Sequence, residues 1–203
     1  MPESNELARL IGELREPDPA RRSSAAAVIF ERGRQLAAAA LSQWLADPAK
    51  AEWIVRDASG LPRITVGVAV QPESFERILA ASGAPPLADV PPDQDAREFE
   101  LDFDGGARLD VLTTRDSQGS GAIARFLAKF GEGIQQVEIE VRSADRATEL
   151  LRTRFGLEPV YPATRAGAGA TRVNFFLAPS AQGGKVLLEL VESPAPVERP
   201  KHP

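Results

Sequence analysis

The chain has 203 residues, a net charge of −5 and 43% hydrophobic residues, enough for one domain with an appendage or two small domains. Its acidic balance excludes the basic stripe that neutralises phosphates, and no apolar run nears the ~20 residues that span a bilayer, so neither a nucleic-acid nor a membrane partner is expected. Cysteine is absent, which removes disulfides, thiolate metal sites and thiol nucleophiles, and MPESNELARL lacks a basic, apolar leader, so a cytoplasmic location is expected.

Residues 1–50 read as a helical extension. Ser4 is placed to cap a helix over 5–15, with Leu7, Leu10, Ile11 and Leu14 on one face. EPDPARR breaks it, and Asp18 before Pro19 starts a second helix running to about Arg32. Gly33 reads as a break before a third helix, RQLAAAALSQWL. The extension is expected to cover a sheet face or edge; the alternative is a partner-binding or dimer-forming module.

From Glu52 the period becomes two. AEWIVRD, ASG and LPRITVGVAV read as a hairpin, followed by a helix opened by Pro72 and a proline-rich loop, APPLADVPPDQDA, with room for a short edge strand. REFELDF, DGG and ARLDVLTT form a second hairpin, and SGAIARFLAKFGEG a helix with a glycine C-cap. In GIQQVEIEV, Val137, Ile139 and Val141 alternate with Gln136, Glu138 and Glu140, and only Ile134 departs from the pattern. The glycine-rich GAGAT and DGGA open no helix after a strand, so they read as a loop and a turn rather than phosphate cradles. The single histidine, His202, lies in the tail VERPKHP, where Pro194, Pro196 and Pro200 oppose regular structure. A frayed terminus cannot hold a catalytic base in register, so a site must be built mainly from oxygen donors.

The pattern repeats. ITVGVAVQPESFERILAASG aligns with QQVEIEVRSADRATELLRTRFG, so Val66, Val68 and Val70 fall on Val137, Ile139 and Val141. Later strands end in RLDVLTT and LLELVES. Each half reads as a β-α-β-β-β unit. The expected fold is α+β: two pseudo-symmetric units form a curved mixed sheet around a cleft, behind an N-terminal helical extension. The expected boundaries are 1–50 for the extension, 51–193 for the paired domain (unit one about 63–114, linking helix about 119–130, unit two about 134–193) and 194–203 for a flexible tail.

These paired units resemble the vicinal oxygen chelate superfamily of glyoxalases, bleomycin-resistance proteins and dioxygenases. GAIARFLAKFGEGIQQVEIEV, GAGATRVNFFLAPSAQGGKVLLELVE and ITVGVAV are most similar to methylmalonyl-CoA epimerases. The resemblance spans residues 63–192 and implies a four-ligand metal centre. Its two histidine positions fall on Thr65 and Gln136, and its two carboxylate or amide positions on Asp110 and Glu189. Without imidazole, Asp110, Gln136 and Glu189 suit a hard divalent cation (Mn, Mg or Ca), or no metal at all. Thr65, Arg108, Asp110, Gln136, Glu138 and Glu189 form the expected ligand cleft, with Arg108 supplying charge to Asp110 along the same strand face. Two functions follow from the resemblance. One is a small-molecule-binding protein with a histidine-free, metal-free cleft. The other is a cation-dependent isomerase or lyase of the epimerase or glyoxalase type, with Glu189 and Glu138 as catalytic groups acting by enolisation. The expected partner is a small-molecule ligand, with homodimer formation left open.

Overall fold

The computed structural model describes residues 2–47, 51–180 and 183–194; His202 and most of the expected tail lie outside these. Two helices come first, α1 (Pro2–Glu13) and α2 (Pro19–Leu45). Helix α1 begins before Ser4, so that residue stands inside the helix rather than at its cap. Asp18 caps α2 as expected, its carboxylate accepting from the Ala20 amide at 2.9 Å with Pro19 in the first turn. The break expected at Gly33 does not occur. A glycine costs a helix about 1 kcal/mol against alanine, but here it lets α2 lie directly on the sheet. A Cβ at residue 33 would stand 2.4 Å from Val66 Cγ2.

The sheet comprises β1 (Ile64–Ala69), β2 (Arg97–Asp102), β3 (Arg108–Thr113), β4 (Gly133–Glu140), β5 (Arg165–Ala166), β6 (Arg172–Pro179) and β7 (Lys185–Glu192), in the order β2-β3-β1-β4-β7-β6-β5. It is mixed and curled. Strands β1 and β4 meet antiparallel at the centre, and each has a parallel neighbour, β3 beside β1 and β7 beside β4. Val66 pairs with Val137, its own counterpart in the sequence repeat, which places the pseudo-two-fold axis between them. The repeat also holds in register: Gly67 faces Asp110 as Glu138 faces Glu189.

Helices α3 (Pro72–Ala81), α4 (Ala122–Phe130) and α5 (Ala144–Phe155) complete the units. Two complete units would supply eight strands, and the sheet has seven. The missing one falls in residues 84–96, where Pro85, Pro86, Pro91 and Pro92 remove the amide donors that a ladder needs. The hairpin expected from residue 52 is reduced to single bridges, Ile54 to Val141 and Arg56 to Pro62. By contrast, β2 and β3 form the full DGG hairpin, because Gly105 and Gly106 adopt φ of +83° and +84°.

One apolar core lies between the sheet and the helices. It joins Leu10, Ile11, Leu14, Ile29 and Trp44 to Val66, Val68, Phe75, Ile78, Val137, Ile139, Phe176 and Leu188. The extension therefore covers a sheet face. Helix α4 packs elsewhere, with Ile123 and Leu127 against Ala69 and Leu112. No helix among the described residues is long and apolar enough to cross a membrane.

Candidate functional site

Alternation along the strands sends Val66, Val137, Ile139 and Leu188 into the core, and turns Asp110, Gln136, Glu138 and Glu189 to the other face. There they line a cleft of about 1250 Å³ together with Glu98 and Phe175. Asp110, Gln136 and Glu189 are buried.

The centre of this floor is a glutamine held between two carboxylates. Gln136 Nε2 donates to Glu189 Oε2 at 2.5 Å and reaches Glu138 Oε1 at 3.3 Å. Gly67 makes room for it, since a Cβ there would stand 2.5 Å from Gln136 Cγ. Beside this bridge, Asp110 Oδ1 is buried with no hydrogen-bond partner. So is Gln135 Oε1. A register shift places Gly67 opposite Gln136 but Val68 opposite Ile134; this bulge leaves Gln135 unpaired, and both glutamines line the cleft.

Burial dominates the electrostatics. It pushes the Glu138 carboxyl up to about 7, with Glu98 and Glu100 adding to the rise and the Gln136 hydrogen bond and Arg108 opposing it. Burial, then the charge of Glu100, raises Glu98 to about 7 as well. Asp110 is held well above the ordinary carboxylate range by burial, then by Glu98, Glu138, Glu189 and Glu100. Glu189 is raised in the same way by burial, Glu138 and Glu98. A floor of this kind favours protons, hydrogen-bond donors or cations.

Of the residues picked out by sequence, Asp110, Gln136, Glu138 and Glu189 come together on the cleft floor. Thr65 pairs across the ladder with Glu138 but is buried and outside the cleft lining. Arg108 also stands outside it, bonded to Asp102 Oδ1 at 3.0 Å and Glu100 Oε2 at 3.3 Å. Sequence reasoning passed over Glu98, Glu100 and Gln135. The first two were accessible from REFELDF: the DGG hairpin pairs Glu100 with Asp110 and Glu98 with Leu112, so both acids share the cleft face. The only sign of Gln135 was the break in alternation at Ile134.

Two loops meet over the cleft. Asp93 pairs with Arg165, Gln94 Nε2 donates to the Ala166 carbonyl at 2.9 Å, and the Gly169 amide donates to the Asp89 carbonyl at 3.0 Å. Arg165 also lies over the Tyr161 ring, 4.6 Å from its centroid.

No family model and no curated protein sequence matches the chain. Solved structures do. Methylmalonyl-CoA epimerase from Mycobacterium tuberculosis is 33% identical, over 64% of this chain and 87% of that one, with a TM-score of 0.52. The chain belongs to the vicinal oxygen chelate superfamily. Methylmalonyl-CoA epimerase in complex with methylmalonyl-CoA and NH4+ is 28% identical over 66% of this chain and 96% of its own, with a TM-score of 0.53. A Streptomyces coelicolor epimerase variant in complex with 2-nitronate-propionyl-CoA is 29% identical over 69% and 99%, with a TM-score of 0.54.

The metal centre implied by this superfamily does not fit the residues as they are disposed. Gln136 turns its nitrogen to Glu189 Oε2, so there it acts as a donor and not as a ligand. Thr65 stands off the cleft, and among the described residues no three His, Cys, Asp or Glu side chains converge to hold an ion.

Proposed function

We propose that this chain is a small-molecule-binding protein that keeps the vicinal oxygen chelate cleft and holds its ligand without a metal ion. The observation that carries this reading is the Gln136 amide, which places N–H groups between Glu138 and Glu189. Thr65 and Gln136 stand at the positions where the superfamily resemblance puts histidines, and the described residues contain no histidine. On this reading the cleft is histidine-free, its ligand meets carboxylate and amide oxygens, and the protein works in the cytoplasm.

A second reading is a divalent-cation-dependent isomerase or lyase acting by enolisation. It is favoured by the likeness to epimerases in complex with acyl-CoA compounds and by Glu138, whose carboxyl near 7 suits a general base. Here Asp110, Gln136 and Glu189 are the proposed metal ligands, and Glu189 and Glu138 the catalytic groups.

Thermal unfolding of chelator-stripped protein with Mn, Mg, Ca or Zn separates the two, measured beside Glu189→Ala. Binding at a hundred times Kd adds about 2.7 kcal/mol. No shift with any ion, and no deuterium uptake at the α-carbon of methylmalonyl-CoA, is expected of the metal-free binder. A shift seen in the wild type and lost in Glu189→Ala, together with uptake, selects the enzyme.

A further inference from the structure

We infer that the cleft takes an extended organic cation with a primary ammonium or guanidinium group at each end, read by Glu98 and Asp110 on β2 and β3 at one end of the strand row and by Glu138 and Glu189 on β4 and β7 at the other. This rests on the reading that the cleft binds a small molecule, and it names the chemical class.

Three observations converge. First, eight carboxylates and two arginines line the cleft, and both arginines are engaged. Arg125 donates to the Ser120 carbonyl, and Arg165 is paired with Asp93 and stacked on Tyr161. Nothing basic remains for the floor, because Arg108 is bonded to Glu100 and Asp102. An anionic acyl chain carrying phosphates would meet like charge there, whereas a cation would meet the opposite.

Second, the two unpartnered buried side-chain atoms that belong to cleft-lining residues are both acceptors. Asp110 is 5% exposed, lines the cleft, and has no partner for Oδ1; Gln135 Oε1, on the β4 bulge, has none either. A buried acceptor without a donor costs about 1–3 kcal/mol. The natural complement is a group rich in N–H. Ammonium offers three donors, and guanidinium five in a flat fork.

Third, the acids are spread. They run from Glu98 on β2 to Glu189 on β7, four strand spacings apart in the sheet order. At about 4.8 Å per spacing this is about 19 Å along the sheet. A single divalent ion draws its ligands within about 2.6 Å, so it can satisfy only one end of the row. A chain with charge at both ends reaches both. Tyr161 already has a guanidinium on its face at 4.6 Å, so the wall above the floor is compatible with cations.

The test is calorimetric titration of the full chain with agmatine and spermidine, beside tetramethylammonium, MnCl2 and methylmalonyl-CoA, repeated on Asp110→Asn. Expected are saturable binding of agmatine or spermidine, at least about tenfold weaker tetramethylammonium, and about a tenfold or greater loss in Asp110→Asn. Tetramethylammonium carries charge but no N–H, so the wild-type comparison stands even if the variant misfolds. Equal affinity for tetramethylammonium would overturn the proposal, as would failure of both amines to saturate by about 10 mM. Binding of methylmalonyl-CoA without the amines sinks the cation class and leaves a small-molecule cleft in place. A response to MnCl2 without the amines sinks this inference and the metal-free reading together.

Discussion

At the scale of single residues, the cleft floor works against the stability of the ligand-free protein. Asp110 is buried among Glu98, Glu138 and Glu189 with one oxygen unpartnered, so its charge is expensive to keep. Asp110→Asn keeps the shape and removes the charge. It is expected to raise the unfolding midpoint at pH 8 by about 3–6 °C, or about 1–2 kcal/mol for a chain of this size, while losing ligand. A fall in midpoint would mean that Asp110 is held by interactions the structure does not contain. The same burial sets the pH dependence. Glu98 and Glu138 rise from the ordinary 4.5 to about 7 on folding, so the folded state binds protons more tightly than the unfolded chain. Their stabilising contribution is complete below about pH 4.5 and is lost as pH climbs through about 7. Asp57 and Asp145 are lowered, by hydrogen bonds from Ser59 and Thr164 respectively, and work in the opposite sense at more acid pH. Thermal melts of the ligand-free protein should therefore peak near pH 5 and decline through pH 8. A midpoint still rising from pH 5 to 8 would contradict the raised carboxyls.

Elements are held where the sequence pattern and the third dimension agree, and Gly33 shows where they part. Local propensity reads it as a stop, yet α2 runs through it because the missing side chain seats the helix on Val66. Gly33→Ala should gain about 1 kcal/mol of helix propensity and lose about 1–3 kcal/mol to overpacking against a β-branched side chain on a central strand. A net drop in denaturant midpoint is expected, and Val66→Ala in the same chain should relieve it. Additive effects of the two substitutions would show that α2 does not rest there. The same division explains what could be read in advance. Alternation and the internal repeat gave the core residues of β1 and β4 and put Asp110, Gln136 and Glu189 on one cleft floor, while the register that sets Asp110 beside Gly67 and Glu189 beside Glu138 came only with the structure. Glu98 and Glu100 lay within reach of the same argument through the DGG hairpin. Gln135 did not, because a bulge obeys no period and its cause is the pairing partner. Thr65 was placed on the right face, but depth depends on what packs above it, which one strand's pattern cannot report. The strand missing from residues 84–96 was legible as four prolines, whereas the way that loop bonds Ala166 and Gly169 across the cleft was not.

For the whole molecule, the question is whether the N-terminal helices are an ornament on the paired units or part of their core. Helix α2 lies against β1, β3, β4, β6 and β7, crossing the seam between the two halves of the repeat. Leu10, Ile11, Leu14, Ala26, Ile29, Ala37 and Trp44 are as deeply buried as the strand residues they meet. Arg15 of the extension also binds Glu132 at 2.6 Å, and the other oxygen of Glu132 accepts from the Gln71 amide at 3.0 Å, so the link reaches both halves. Fully burying each large side chain contributes about 1.5–3 kcal/mol, and a domain's net stability is only about 5–15 kcal/mol. A chain beginning at Ala51 loses six large core side chains at once, Leu10, Ile11, Leu14, Ile29, Leu41 and Trp44, and leaves an apolar strip along the centre of the sheet. Such a strip marks an association surface. The shortened chain is expected to self-associate, to bind an apolar dye, and to lose its sharp unfolding transition, and adding residues 1–47 as a separate peptide should restore that transition in part. If it instead stays monomeric and melts cooperatively within about 5 °C of the full chain, the two units close their own core. The helices would then be free to have evolved for another purpose.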